Sequence, residues 1–154
     1  MLLDIEKELN RKQTNTILRA QAKEVPAIDI PKPETQKLID NMIETMYKAN
    51  GIGIAAPQIG ISKQIIIIET PDGPLALINP KITRHSLRRI KSEEGCLSVP
   101  GKFGFLRRWR TVKVAALDRK GKKLELAPAD FTNIILQHEV DHLRGTLFVD
   151  KIKK

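Results

Sequence analysis

Residues 138–142 read His138-Glu139-Val140-Asp141-His142, an H-E-x-x-H pattern inside a stretch with helical periodicity. At about 3.6 residues per turn, histidines four apart project from one helix face and can share a metal ion. Glu139 then stands beside that ion. A carboxylate so placed can take a proton from a metal-bound water and pass it on, which is the chemistry of metal-assisted hydrolysis. The pattern needs a third ligand. In the extended form H-E-x-x-H-x-x-G-x-x-H, used by one class of zinc proteases, Gly145 fits but the final position is Phe148. Another protease arrangement takes a glutamate from a later helix, and the twelve residues after His142 hold one acid, Asp150. The third ligand is therefore expected upstream, where the candidates are Cys96 and His85.

Cys96 is the stronger of the two. In Glu93-Glu94-Gly95-Cys96-Leu97-Ser98-Val99-Pro100, Gly95 lets the backbone turn closely beside the thiol. Alternation then points Leu97 and Val99 into a core and Cys96 the other way. A lone cysteine is ordinarily a small buried apolar residue, and two histidines lacking a partner reverse that balance. His85, within Thr83-Arg84-His85-Ser86-Leu87-Arg88-Arg89, reads as an exposed strand or loop residue. A further segment, Gly51-Ile52-Gly53-Ile54-Ala55-Ala56-Pro57-Gln58, combines small residues that admit a substrate backbone with an uncharged amide donor. Ala56 breaks the G-x-G-x-x-G signature of nucleotide binding.

Taken in order, Gly51-Ile-Gly-Ile-Ala-Ala-Pro-Gln58, Glu94-Gly-Cys-Leu-Ser98 and Gln137-His-Glu-Val-Asp-His142 resemble the three signature motifs of the peptide deformylases. The resemblance runs over residues 17–152, with further likenesses in Ile43-Glu-Thr-Met-Tyr47, Leu77-Ile-Asn-Pro80 and Gly145-Thr-Leu-Phe-Val-Asp150. It implies that Cys96, His138 and His142 hold one divalent metal ion, Fe(II) in the cell, with Zn(II), Ni(II) or Co(II) as substitutes. Glu139 would be the proton carrier for a metal-bound water. The Gln58 amide and the Leu97 backbone N–H would meet charge growing on the carbonyl oxygen. The implied substrate is the N-formylmethionyl end of a nascent peptide, and the products are formate and a free amino terminus.

The methionine side chain needs an apolar pocket next to the metal. Ile134 and Ile135, one turn before His138, are the natural lining, joined by Phe131 and Ile52, with Gly53 admitting the substrate backbone. Gly51, Gly95 and Glu94 read as support for the site, and by the resemblance Glu94 pairs with a downstream arginine, for which Arg108 is the candidate. The segment 101–110 lacks the acids and proline common there in the family, so contacts beyond the first substrate residue are not transferred. Two rival readings are a small metallopeptidase and a silent RNA-binding protein with a structural metal. The glycine-lined motif and the thiolate oppose the first. The second would require a fourth protein ligand, and none stands at suitable spacing.

With 154 residues the chain is expected to form a single catalytic domain, residues 1–154. One cysteine excludes an internal disulfide framework and suits a reducing, cytoplasmic setting; the formylated substrate that the resemblance implies adds that the setting is bacterial, phage or organellar. Met1-Leu-Leu-Asp-Ile-Glu-Lys-Glu8 carries acids early and does not read as a signal peptide, and the longest aliphatic run, residues 65–68, is too short to span a bilayer. No membrane and no specific DNA partner is expected. The net charge is +9, with bases grouped in residues 84–91, 107–110, 119–123 and 151–154. Such loops are commonly a solvated face; their functional reading is weak attraction to RNA, which for this activity means the ribosome. In the family that contact can use a long carboxy-terminal helix, so here another surface is expected. Trp109 is expected to pack on the sheet, with no second aromatic spaced to form a platform.

The elements that must position these residues are legible by period. Residues 34–50 place Leu38, Ile39, Met42, Ile43, Met46 and Tyr47 on one helical face, ended by Gly51. Strands are expected at 64–69 and 75–79 around a turn at 71–74, and at 112–117 and 122–126 around a turn at 118–121. The motif helix is expected over 128–144, with Pro128 near its start, Asp130 in its first turn and Gly145 at its end. Helices interrupted by runs of strands indicate an α+β fold. The resemblance sharpens this to mixed or antiparallel sheets packed around a central H-E-x-x-H helix.

Overall fold

Four isoleucines in a row, residues 65–68, are all fully buried, and the rest of the architecture explains how. The computed structural model describes residues 1–7 and 15–152; Glu8 and the basic pair 153–154 lie outside the described residues. Its elements are α1 (Thr16–Arg19), α2 (Pro33–Lys48), β1 (Gly53–Ala55), β2 (Ile65–Thr70), β3 (Gly73–His85), β4 (Arg89–Cys96), β5 (Val99–Trp109), β6 (Val112–Leu117), β7 (Lys123–Leu126) and α3 (Asp130–Leu143). Short 3-10 turns occupy Ala27–Asp29, Ala56–Ile59 and Phe148–Asp150.

β1-β2-β3-β6-β7 form one antiparallel sheet, and β4 and β5 form a separate two-stranded ribbon. Successive strand residues face opposite sides of a sheet. Ile66 and Ile68 therefore join Ala55, Leu77 and Val114 against Leu136 and Val140 of α3. Ile65 and Ile67 join Ile54 and Ile78 against Ile39, Met42 and Met46 of α2. A strand covered on both faces has no polar side, hence the unbroken isoleucine run. Each such side chain contributes about 1.5–3 kcal/mol by leaving water. This is the α+β arrangement the sequence indicates, with antiparallel pairing throughout the named strands.

Several boundaries differ from the sequence expectations. Helix α2 is stopped by Asn50 rather than Gly51: Asn50 takes the left-handed conformation (φ 55°), and its N–H and that of Gly51 donate to Tyr47 O and Met46 O. Tyr47 leaves the apolar face and donates its hydroxyl to Glu69 at 2.6 Å. Helix α3 begins at Asp130, so Pro128 lies before it. Strand β3 runs on to His85, well past residue 79, and β4 and β5 were not anticipated as strands.

At the end of α3, Gly145 has φ 70°, and a Cβ there would run into the Arg19 carbonyl oxygen. The close approach lets the segment after α1 dock, with Ala22 N–H donating to Leu143 O at 2.9 Å. Gly145→Ala is expected to lower stability by about 1–3 kcal/mol, read as the urea unfolding midpoint. An unchanged midpoint would contradict this packing.

Candidate active site

Helix α3 is buried on almost every side, and its residues sort into rows four apart. Leu136, Val140 and Leu143 enter the core. Asn133, Gln137 and Asp141 form a polar row, buried and therefore in need of partners. Asn133 Nδ2 donates to the carbonyls of Trp109 and Arg110, and Gln137 both donates to Trp109 O and accepts from Trp109 N–H, at 2.9 and 3.0 Å. Asp141 accepts from Arg108 at 2.5 Å and from Lys151. The row thus holds the end of β5 against the helix. A third row, Ile134, His138 and His142, and a fourth, Ile135 and Glu139, face the other strand of the ribbon and the cleft.

Cys96 closes β4, paired with Val99 across the turn Leu97-Ser98, with a register shift just before it. It packs beside Val99, Leu106, Leu147 and Phe148. Leu97 does not enter the core as alternation suggests: it lines the cleft, because the turn ends the strand's alternation there. Its side chain approaches Gly51, where an added Cβ would lie 3.0 Å from Leu97 Cδ1. Gly95 likewise leaves room for the Phe103 ring, which would stand 2.7 Å from a Cβ. Gly53 faces Glu139, whose Oε1 would be 2.5 Å from a Cβ.

The ligand atoms of Cys96, His138 and His142 all lie within 4.8 Å of one another, and Cys96 Sγ is 3.2 Å from His142 Nε2. One ion with bonds of about 2.0–2.3 Å can reach all three. A thiolate with two imidazoles suits Fe(II), Co(II), Ni(II) or Zn(II). His85 takes no part; it is exposed at the end of β3 and stacks on Trp109 at 4.0 Å. Phe148, which breaks the extended protease pattern, stacks near the His138 ring at 6.1 Å.

The surrounding charges fit a cation. Burial disfavours the charged form of His138, yet hydrogen bonds to Cys96 and Glu94 and the charge of Glu139 outweigh it and raise the pKa to about 10. The field at that ring therefore favours positive charge. Burial, with His138 and Arg108 nearby, pushes His142 well down, which keeps its imidazole in the neutral, ligating form. Glu94 Oε2 accepts from His138 Nδ1 at 2.9 Å, leaving Nε2 for an ion. Burial alone would raise Glu94; the bidentate Arg108 guanidinium, at 2.8 Å to each oxygen, and His138 hold it down at about 2.

Glu139 is buried, and burial lifts its carboxyl to about 7. Among the described residues, its Oε2 has no hydrogen-bond partner. Gln58, 1% exposed, accepts from Ala55 N–H through Oε1 and directs Nε2 at Cys96 Sγ and Ser98 Oγ, at 3.5 and 3.2 Å. Both open onto a cavity of about 430 Å³ lined by Ile52, Gly53, Leu97, Phe131, Ile134 and Ile135, with Asn50, Glu93 and Phe103 at hand. Phe131 and Ile52 are half exposed at 58% and 45%, so they line the mouth rather than the floor.

Asn133 and Lys151 are not singled out by the sequence, and Ser98, Gln137 and Asp141 appear there only as motif residues without a role of their own. One signal was available: three hydrogen-bonding side chains spaced by four on a helix expected to be buried.

Fold and site together place the protein among the metal-dependent hydrolases. A family profile described as polypeptide deformylase matches residues 8–154, and the chain belongs to the peptide deformylase family. It is similar to the peptide deformylase of Pelotomaculum thermopropionicum, 48% identical over 137 residues, covering 89% of this chain and 86% of that one. The Halothermothrix orenii peptide deformylase is 47% identical over 144 residues, covering 92% and 91%. Among solved structures, the actinonin-bound class I type b peptide deformylase from Acinetobacter baumannii superposes with a TM-score of 0.91 at 39% identity, covering 99% of each chain. The Thermotoga maritima peptide deformylase gives 0.91 at 34% identity, over 100% and 99%.

Among the described residues, Arg108 is the only charge compensating Glu94 from within the ribbon, and it shares Asp141 with Lys151. Arg108→Met is expected to destabilise the fold by about 3–5 kcal/mol in urea titrations, since it strands buried carboxylate charge. The sign with pH follows from the depressed Glu94: its contribution is present above the ordinary value of 4.5 and is lost as pH falls toward about 2. Arg108→Met should flatten that acid limb. A variant as stable as the parent at neutral pH would contradict the assignment.

Proposed function

We propose that this chain removes the N-formyl group from the N-terminal formylmethionine of nascent polypeptides, acting in the cytoplasm as one catalytic domain over residues 1–154. The observation that carries the reading is the convergence of Cys96, His138 and His142 on one point beside Glu139 and Gln58, at the wall of an apolar cavity. Fe(II) is the metal proposed for the cell. A divalent cation held there supplies Lewis acidity, lowering the pKa of water toward neutrality and polarising a carbonyl.

The chain's own residues then act in turn. Glu139 takes a proton from the attacking water through Oε2, which among the described residues has no hydrogen-bond partner. The water oxygen bonds to the formyl carbon. Gln58 Nε2, turning from the sulfur toward the substrate, and the Leu97 backbone N–H donate to the formyl oxygen as its charge grows. Glu139 returns the proton to the amine as the C–N bond breaks, and formate leaves. Ile134, Ile135, Phe131 and Ile52 enclose the methionine side chain, and Gly53 lets the substrate backbone approach. Glu94 and Arg108 keep His138 oriented. Gly51 and Gly95 keep the turn carrying Cys96 close to the cleft. The Acinetobacter baumannii relative has been crystallised with Met-Ala-Ser, a peptide beginning with the residue this reading assigns to the pocket. The basic surface supports a further, weak contact with the ribosome.

The test is formate release from formyl-Met-Ala by protein prepared without oxygen. Activity is expected with Fe(II), Ni(II) or Co(II), lost on chelation and restored by metal. Glu139→Ala is expected to keep the metal and lose turnover, and Gln58→Ala to lose about a hundredfold to a thousandfold in kcat. No release with any metal would refute the proposal, and cleavage of unformylated peptides would favour a peptidase.

A further inference from the structure

Between residues 84 and 110 the chain carries eight arginines and lysines against two acids, Glu93 and Glu94. Glu94 is buried on Arg108, so only Glu93 opposes the outward bases. Register and alternation place Lys91 opposite Arg107 and Glu93 opposite Phe105 on the outer side of the β4–β5 ribbon, and Arg89 opposite Trp109, which is half-buried and packs against the core as expected. Lys91 and Arg107 are like charges directly across a strand pair, which destabilises the pair. Among the described residues, neither they nor Arg89 meets an acid, whereas Lys32, Lys81 and Arg119 each do.

Aromatic rings are interleaved with these cations. The Arg89 guanidinium lies 5.7 Å from the Trp109 ring centroid, and Lys91 Nζ lies 4.2 Å from that of Phe105. A groove of about 450 Å³ beside the ribbon is lined by Arg89, Arg107, Trp109 and Lys151. Its one carboxylate, Asp141, is already held by Arg108 and Lys151. The uncompensated pair across the ribbon and the positive groove both call for an anion.

We propose that the outer face of this ribbon, with the adjoining groove, binds single-stranded RNA. Phosphates meet Arg89, Lys91, Arg107 and Lys151, and bases stack on the exposed Phe105 ring. Cations at alternate strand positions recur about every 6.7 Å, a stride of the same order as the phosphate step of an extended strand. Rings beside cations are the means by which proteins hold unpaired nucleotides. A lipid surface would call for a contiguous apolar crest, and here rings and charges alternate. The proposal gives the ribosome reading a surface and rests on that part of the proposed function alone, so its failure leaves deformylation standing.

The experiment is fluorescence anisotropy of labelled oligouridine of about twelve nucleotides, titrated with metal-loaded full chain. Saturable binding is expected, with log affinity falling linearly as log salt rises. Lys91→Ala with Arg107→Ala should weaken binding at least about tenfold and reduce the salt slope by about 0.7 for every phosphate no longer neutralised. Removing two facing like charges does not endanger the ribbon. Phe105→Ala should weaken binding without changing the slope, and formate release should be unchanged in both. Lys122→Ala with Lys123→Ala, the same charge change on another hairpin, should keep the affinity. No binding at low salt, equal weakening in the control pair, or tighter binding to phosphatidylserine vesicles than to oligouridine would each overturn the proposal.

Discussion

The buried guanidinium of Arg108 is the tie on which the site depends. It spans Glu94 on β4 and Asp141 on α3, and so fixes the ribbon that ends in Cys96 against the helix that carries His138 and His142. The three ligand atoms belong to two elements with no shared sheet, since among the described residues β4 and β5 pair only with each other, so side-chain ties such as this one must join them. A buried ion pair of this kind stabilises no more than apolar packing would. Its advantage here is positional: the same carboxylate that Arg108 neutralises also accepts from His138 and turns its other nitrogen toward the ligand cluster.

The helix answers the same constraint along its length. A fully enclosed helix would ordinarily be apolar all round. Instead α3 has one apolar row against the sheet and one polar row whose amides satisfy the backbone at the end of β5. That second row removes the freedom of the ribbon to slide along the helix, because each amide needs a particular carbonyl. Rigid placement of this sort matters where Cys96 Sγ and His142 Nε2 must stay within about an ion's reach of each other.

The sequence was most legible where period and chemistry coincided. The helix of the H-E-x-x-H motif, the amphipathic α2, the hairpin at Val112–Leu117 and Lys123–Leu126, and the pairing of Glu94 with Arg108 all follow from spacing or from the family resemblance. The β4–β5 ribbon did not show itself, and the reason is physical. Its buried side mixes Leu106 with Ser92, Glu94 and Arg108, while its exposed side mixes Phe103 and Phe105 with Lys91, Glu93 and Arg107, so no hydrophobic alternation survives. Leu97 departs from expectation for a related reason: strand alternation does not carry one residue into a turn. Asp141 was hidden by its place in a variable position of the H-E-x-x-H motif, where its type is not dictated by the metal.

The proposed function requires above all that Cys96 complete a mixed thiolate and imidazole set with His138 and His142. X-ray absorption at the metal edge of zinc-loaded protein tests this directly. The predicted result is one sulfur scatterer at about 2.3 Å and two imidazole nitrogens at about 2.0–2.1 Å. A shell of nitrogen and oxygen alone, unchanged by Cys96→Ala, would contradict it.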